Sequence, residues 1–354
     1  MGLRAYIAKR VIYCFILICI VIIFDYLLFM QMGNPVEIFL PPRAGVPQNV
    51  YNEYIKALLR RWGLDQPIHV QVFKALVNML TFNFGKSFRT GRDIKLEIQT
   101  RLPYTLLLLG MSTTAAIIVG ILLGVLVAYK RGSKFDTFSV STSLIFYSLP
   151  TFWIGMIFLL IFAQQLKWFP LGGAYPDSWN LVGWPQPIKV NSISSDSSLT
   201  TIFNIDLGET VKLMSGYLRH LFLPFTTLVL YMYGGYLLLT RAVMLEALTE
   251  DYIVTARAKG VSERAVLLKH ALKNASLPLI TSVALSYAFM ISGAIITETV
   301  FNYPGMGGWI WHAILFYDYG VLMPIFYVIA LCVIAANFIA DLLYGIIDPR
   351  IKYG

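Results

Sequence analysis

Long apolar runs separated by polar connections make up most of this chain. A helix needs about 20 apolar residues to cross a bilayer, and six runs are long enough. They lie at about residues 8–30, 105–129, 138–165, 218–241, 277–297 and 321–346. The first run begins with basic residues as a signal peptide does, but it is too long for one and no small-residue cleavage site follows it. The pattern predicts an all-α integral membrane protein with six transmembrane helices.

Two polar segments fall between these spans. In the first, residues 31–101, the apolar positions of YNEYIKALLRRWGL recur at helical spacing. We predict one helix there, ended by Gly63, and a second from Pro67 to about Leu80. The other segment, residues 167–217, is rich in Pro, Gly, Ser and Trp, so irregular structure is predicted. We predict no function for its 175–215 portion.

The second span carries two local signals. Pro103 is expected in its first helical turn, where proline is tolerated. Gly120 and Gly124 are four residues apart, a spacing that lets two helices approach closely in lipid. Ordinary helix packing is a sufficient explanation for that pair.

Charge orients the predicted helices. Only 13% of residues are charged and 57% are hydrophobic, whereas a soluble domain carries roughly 25% charged residues. Basic residues crowd the connections at 130–136 and 242–276 and the tail at 347–354. The positive-inside rule assigns these segments and both termini to the cytoplasm. Residues 31–101 hold ten Lys and Arg although they lie outside on this model, and long loops largely escape the rule.

These assignments predict a multi-pass protein of the cell membrane. They divide the chain into four parts. The parts are an N-terminal transmembrane helix (1–30), an extracytoplasmic insert (31–101), a five-helix core with a cytoplasmic loop at 242–276 (102–346), and a cytoplasmic tail (347–354). The lipid bilayer is the expected environment, and the absence of a basic stripe on a soluble domain disfavours nucleic acid as a partner.

The sequence holds no recognisable catalytic or metal-binding motif. Gly85-Lys86-Ser87 imitates the end of a phosphate-binding loop but lacks its first glycine, since position 80 is Leu80. The histidines have no HExxH spacing, and the three cysteines fall inside apolar spans. We therefore predict no enzyme activity, no metal and no cofactor in this chain.

Energy for any transport must then come from outside this chain. Ion-coupled transporters keep ionisable groups deep in the membrane, whereas Asp25, Glu298 and Asp341 all fall near the ends of predicted spans. This scarcity favours a separate ATPase, and the charged block at 251–278 is the predicted place of coupling. The coupling residues that we predict are Asp251, Tyr252, Ala256, Arg257, Ala258 and Gly260. The alternative is a solvated amphipathic loop that binds no partner.

Several stretches match one known family in the same order. They are RRWGLDQPIHVQ, FGKSFRTGR, LPYTL, GILLGVLVAYKRGSKFD, YSLPTFWIGM, WFPLGG, the 251–278 block, ITETVFNYPGMGGW and DLLYGIIDPRIKY. With them the chain resembles the first permease subunit of binding-protein-dependent ABC importers. The branch is the dipeptide/oligopeptide one, which includes oligosaccharide and nickel permeases. One departure is Val254, which stands where the wider family has a glutamate; Asp251 is our candidate for its contact.

The resemblance implies a type I ABC importer permease fold and a set of partners. These are a second, homologous permease subunit, two cytoplasmic ATPase subunits that bind the ATP, and an extracytoplasmic solute-binding protein. The implied function is import of oligopeptides or oligosaccharides by alternating access. A secondary, ion-coupled transporter is the alternative function, and ATP dependence of uptake separates the two.

Two further sets of residues are candidates for the transport path. The first set combines hydroxyl groups, a helix-breaking proline and neighbouring side chains. Its members are Tyr147, Pro150, Ser286, Tyr287, Met290 and Thr297. For Ser and Thr, a hydrogen bond to their own helix backbone is the alternative explanation. The second set is the turn Tyr303-Pro304-Gly305-Met306, which the resemblance places at the outer gate; a plain loop between helices is the alternative.

Overall fold

The structure of the 354-residue chain is a computed structural model, which describes residues 3–31, 36, 40, 47–175, 207–290 and 293–347. In those ranges every regular element beyond an isolated bridge between Lys86 and Asp93 is helical, which confirms the all-α prediction. In chain order the helices are α1 (Leu3–Met30), α2 (Gln48–Trp62), α3 (Ile68–Leu80), α4 (Ile94–Tyr129), α5 (Lys134–Ser148), α6 (Thr151–Phe158, continued by a π-helical turn at Leu159–Gln165), α7 (Leu207–Ala247), α8 (Asp251–Ala258), α9 (Glu263–Ala265, continued by a π-helical turn at Val266–Ala271), α10 (Leu272–Asn274), α11 (Ser276–Phe289), α12 (Ile295–Val300), α13 (Met306–Leu315) and α14 (Tyr319–Ile347).

Three of these helices are long and apolar enough to cross a membrane within the described residues. They contain Ile7–Met30, Ile94–Tyr129 and Met214–Ala247. The pair α5 and α6 adds a fourth if its two bent halves count as one span. The apolar parts of α11 and α14 are shorter, so the count of six spans stays a prediction.

Two predicted spans are interrupted. Between α5 and α6 the chain bends by 97°, with Pro150 in an extended conformation before the first residue of α6. This confirms that Pro150 breaks the third predicted helix. The fifth predicted helix, at 277–297, is not continuous, because Gly293 adopts a φ of +77° between α11 and α12. A left-handed residue cannot continue a right-handed helix.

The two helices predicted in the insert are confirmed, but the predicted start of the second span near Pro103 is wrong. Helix α2 ends at Trp62 with Gly63 at a φ of +70°, as its sequence position predicted. Helix α4 begins at Ile94, so Pro103 lies inside it and not in its first turn. Asp93 precedes α4 and its Oδ1 accepts a hydrogen bond from the backbone N–H of Leu96 at 3.1 Å. This carboxylate caps the helix ahead of the apolar run.

The described residues form two compact units. One comprises those within 1–102, 280–295 and 306–354. Its core joins α1 to α14 through Phe29, whose ring lies 5.6 Å from that of Phe326. The other unit comprises those within 103–279 and 296–305, and in it α4 and α5 pack against α7.

Glycines set the contact between α4 and α7. A Cβ atom added to Gly124 would lie 2.5 Å from Cβ of Thr240, and one added to Gly120 would lie 2.7 Å from the carbonyl oxygen of Tyr233. Both separations are too short for real atoms, so only glycine permits this approach. The packing explanation of the Gly120/Gly124 spacing is therefore confirmed.

Gly120→Ala and Gly124→Ala should each destabilise the chain by about 1–3 kcal/mol, because the added methyl group overpacks a close helix contact. Thermal unfolding in detergent checks this. Gly235→Ala in α7 is the control, because its Cβ would meet Tyr147 at an ordinary 3.6 Å. Equal melting temperatures for all three variants would contradict the assigned contact.

Candidate functional site

The charged block begins with the short helix α8. The backbone is extended at Glu250 before it and turns left-handed at Gly260 after it, where φ is +72°. The Gly260 N–H donates to the carbonyl of Arg257 at 2.9 Å. Gly260 thus makes the turn that its sequence position indicates, and a residue with a side chain would be strained there.

One face of α8 is buried against its own unit. Ile253 is fully buried and Ala256 is 6% exposed. They pack in one apolar cluster with Val125 of α4, Met244 of α7 and Val266 after α9. The buried face of α8 therefore packs against both long helices.

Ala256 therefore does not lie where the sequence analysis expected a contact with a partner. Its side chain faces the cluster with Ile253 and is not presented outward. Its small size serves the packing of α8 onto α4 and α7.

The opposite face of α8 is open. Asp251, Thr255 and Ala258 are exposed, and Val254 is exposed over 62% of its surface. Tyr252 is half-buried at the edge of the cluster. Val254 was not among the predicted coupling residues, although its spacing of three from Asp251 and four from Ala258 places it on the same face.

Arg257 is exposed and paired. Its Nε donates to Oε1 of Glu263 at 2.8 Å, and the two side chains are 44% and 45% exposed. An exposed pair of this kind contributes at most about 1 kcal/mol. It links α8 to α9 across the Gly260 turn.

An ion pair that no local sequence pattern indicates joins α5 to α7. Arg241 donates from Nε to Oδ1 and from a terminal nitrogen to Oδ2 of Asp136, both at 2.9 Å. The backbone N–H of Gly132 donates to Oδ2 as well, and Ser133 caps the start of α5. Asp136 is almost fully buried, and Arg241 lies less than one helical turn from Met244. Contacts therefore run from α8 through α7 to α5.

The predicted pathway residues fall in both units. Tyr147, Pro150 and Thr297 belong to the unit of α4 and α7. The ring of Tyr147 stacks on Tyr231 with centroids 5.9 Å apart, and Thr297 is 2% exposed. These positions leave the pathway role a prediction.

Of the other three pathway candidates, Ser286 and Tyr287 lie in α11 and Met290 lies directly after it, all in the first unit. Ser286 donates to the carbonyl of Ser282 at 2.9 Å, which is the backbone bond of the alternative explanation. Tyr287 is 37% exposed and Met290 is half-buried. Among the described residues no group of His, Cys, Asp and Glu is arranged to hold a metal ion.

The predicted gate turn packs around a buried carboxylate. Glu298 of α12 is fully buried, and Thr105 of α4 donates to its Oε1 at 2.9 Å. The backbone N–H of Tyr303 donates to the Glu298 carbonyl at 2.7 Å. Burial, followed by the charge of Glu298, raises the pKa of Tyr303 above its usual value, so its hydroxyl stays protonated. Pro304 is half-buried, and Met306, which opens α13, is fully buried.

Gly305→Ala should displace this turn. The added methyl group would lie 2.5 Å from Oγ1 of Thr105 and would overlap Oε2 of Glu298. We expect a loss of about 1–3 kcal/mol in stability, measured by thermal unfolding with Gly235→Ala as control, and slower uptake. Unchanged values for Gly305→Ala would show that the turn is not held by Glu298.

Comparison with known proteins gives one consistent result. Residues 120–353 match the model of the family described as "Binding-protein-dependent transport system inner membrane component". The oligopeptide transport system permease protein AppB of Bacillus subtilis is 35% identical over 99% of this chain and 100% of its own length. The di/tripeptide transport system permease protein DppB of Pseudomonas aeruginosa is 35% identical over 91% and 90% of the two chains. The dipeptide permease DppB of Alkalihalophilus pseudofirmus is 36% identical over 91% of each.

Proposed function

The chain belongs to the family of binding-protein-dependent transport system inner membrane components, and from that premise we propose that it is the permease subunit of an ABC importer for peptides. The family carries the all-α fold of type I importer permeases. The relatives compared above are named as transporters of oligopeptides, di- and tripeptides and dipeptides. These names favour peptides over the oligosaccharides that the sequence left open.

The observation that carries the proposal is the two-faced helix α8. Its exposed face, with Asp251, Val254 and Ala258, is the surface that an ATPase subunit would contact. Its buried face, with Ile253, rests on α4 and α7. A push on α8 then moves the long helices as a packed body.

The proposed mechanism is alternating access. ATPase closure displaces α8, and the Asp136–Arg241 pair carries that movement from α7 to α5. The path opens outward to accept solute from the binding protein, and ATP hydrolysis resets it. The turn at 301–305 and the six pathway residues are proposed to line or gate the route.

The partners follow from the same proposal. We place a second permease subunit beside this chain, two ATPase subunits against α8 and a solute-binding protein outside, with both termini in the cytoplasm. ATP is bound by the ATPase subunits, so this chain contributes no catalytic residue. We also propose that the chain crosses the membrane six times and that residues 31–101 form an extracytoplasmic insert.

Ion coupling is the competing function, and Glu298 is the observation that raises it. A buried carboxylate is a common proton carrier in ion-coupled transporters. Here the carboxylate accepts a hydrogen bond from Thr105 and lies under the 301–305 turn, which favours a structural role.

Purification of the tagged full-length chain from its native membrane in mild detergent tests the proposed assembly. We expect recovery of two ATPase subunits, a second permease and a binding protein carrying a peptide. Recovery of the chain alone, with transport that ignores ATP, would refute the importer assignment.

A further inference from the structure

A cavity of about 810 Å³ lies within the unit that contains α1 and α14. This volume is within the usual range for small-molecule sites, about 300–1,000 Å³. Its apolar side is formed where α1 ends, at Phe29 and Met30, and where α14 begins, at Tyr319 and Met323. The rings of Phe29 and Tyr319 stack with centroids 6.4 Å apart. The cavity therefore lies at the ends of two apolar helices.

Polar contacts fix the walls of this cavity. Buried Gln71 of α3 accepts a hydrogen bond from the hydroxyl of Tyr26 in α1 and donates to the carbonyl of Gln66 at 2.6 Å. Buried Asp318 accepts from the hydroxyl of Ser87 at 2.6 Å and from the backbone N–H of Phe88 at 3.0 Å. These bonds tie the insert to both apolar helices, so the cavity is a built part of the fold.

Aromatic packing closes one side. The ring of Phe88 stacks on that of Trp62 with centroids 4.5 Å apart. A Cβ atom added to Gly320 would lie 3.1 Å from the Phe88 ring, so a glycine lets α14 approach it. The resulting wall is flat and apolar.

The lining also carries three basic side chains. Arg61 of α2, Lys74 of α3 and Lys86 line the cavity, and none of its described lining residues is Asp or Glu. None of the three forms an ion pair among the described residues, whereas Arg92 and Arg101 both pair with Glu97. The cavity thus combines three basic side chains that form no ion pair among the described residues with an apolar side.

We propose that this cavity binds an anionic phospholipid. The phosphate would lie among Arg61, Lys74 and Lys86, and the acyl chains would follow Phe29 and Met323 into the bilayer. Basic pockets beside membrane helices recognise anionic headgroups in this way. The proposal gives a role to three of the ten basic residues of the insert. It depends on neither the transported solute nor the ATPase partners.

Lipid titration of the purified full-length chain, followed by native mass spectrometry, tests the site. The probes are dioleoylphosphatidylglycerol, dioleoylphosphatidylcholine and water-soluble glycerol phosphate. The test variant combines Arg61→Gln, Lys74→Gln and Lys86→Gln. The matched control combines Lys56→Gln, Arg60→Gln and Lys95→Gln, which remove the same charge from exposed positions of the same segment that do not line the cavity.

We expect the wild-type chain and the control to bind phosphatidylglycerol more tightly than phosphatidylcholine by about tenfold or more, and the test variant to lose that preference. Glycerol phosphate should not displace the lipid. Equal lipid preference in the test variant and the control would overturn the proposal. Displacement by glycerol phosphate would also overturn it, because the site would then recognise a soluble anion without acyl chains.

Discussion

Val254→Arg is expected to prevent the ATPase subunits from co-purifying with this chain and to lower uptake by about tenfold or more, because the proposed interface would then bury an unpaired positive charge. Val254 is exposed over 62% of its surface on the open face of α8, so the substitution leaves the internal packing of the unit unchanged. The amount of chain in the membrane should remain at the wild-type level. Co-purification and uptake are measured on the same preparations.

Val77→Arg is the matched control. Val77 is also exposed, at 40%, on a short helix, but it lies in α3 of the insert. Asp251→Arg should act as Val254→Arg does. Gly260→Trp should also uncouple transport, although it strains the left-handed turn as well. Normal recruitment and uptake in both Val254→Arg and Asp251→Arg would contradict the assignment of α8 as the coupling helix.

Asp136→Ala is expected to destabilise the chain by about 2–4 kcal/mol, because removing one partner of a buried pair leaves the other charge uncompensated. The Arg241 side chain is 29% exposed, so water partly rehydrates it and the loss falls below that of a fully buried pair. Thermal unfolding in detergent measures the effect. Uptake should fall too, because α5 is released from α7.

A double-mutant cycle isolates the pair. Asp136→Ala, Arg241→Ala and the double variant should be strongly non-additive, since each single change breaks the same contact. The exposed pair Arg257–Glu263 is the control, and its cycle should give less than about 1 kcal/mol. Additive losses at Asp136 and Arg241 would show that the pair does not hold α5 to α7.

The helices were predictable where composition changes abruptly. Apolar runs located α1, α4 and α7, and the polar insert revealed α2, α3 and the Gly63 turn. Apart from the break at Pro150, helix starts and breaks inside uniform segments were not predictable. The apolar pattern does not reveal that Asp93 caps α4 ten residues before Pro103, or that Gly293 is left-handed. Each of these features depends on a single backbone conformation.

The site was predictable as a segment but not as a surface. Charge and small residues identified α8 and its Gly260 turn, yet they did not distinguish buried Ala256 from exposed Val254. That distinction depends on how α4 and α7 pack against α8. The Asp136–Arg241 pair spans 105 residues of sequence, so no local pattern links its members.

Uptake of a labelled oligopeptide into proteoliposomes tests the central claim most directly. The vesicles contain this chain with its co-purified subunits and binding protein, and uptake is compared with ATP, without ATP and with a proton gradient alone. We predict uptake that requires ATP and is abolished by Val254→Arg but not by Val77→Arg. Uptake driven by the proton gradient without ATP would contradict the account and would identify the chain as an ion-coupled transporter.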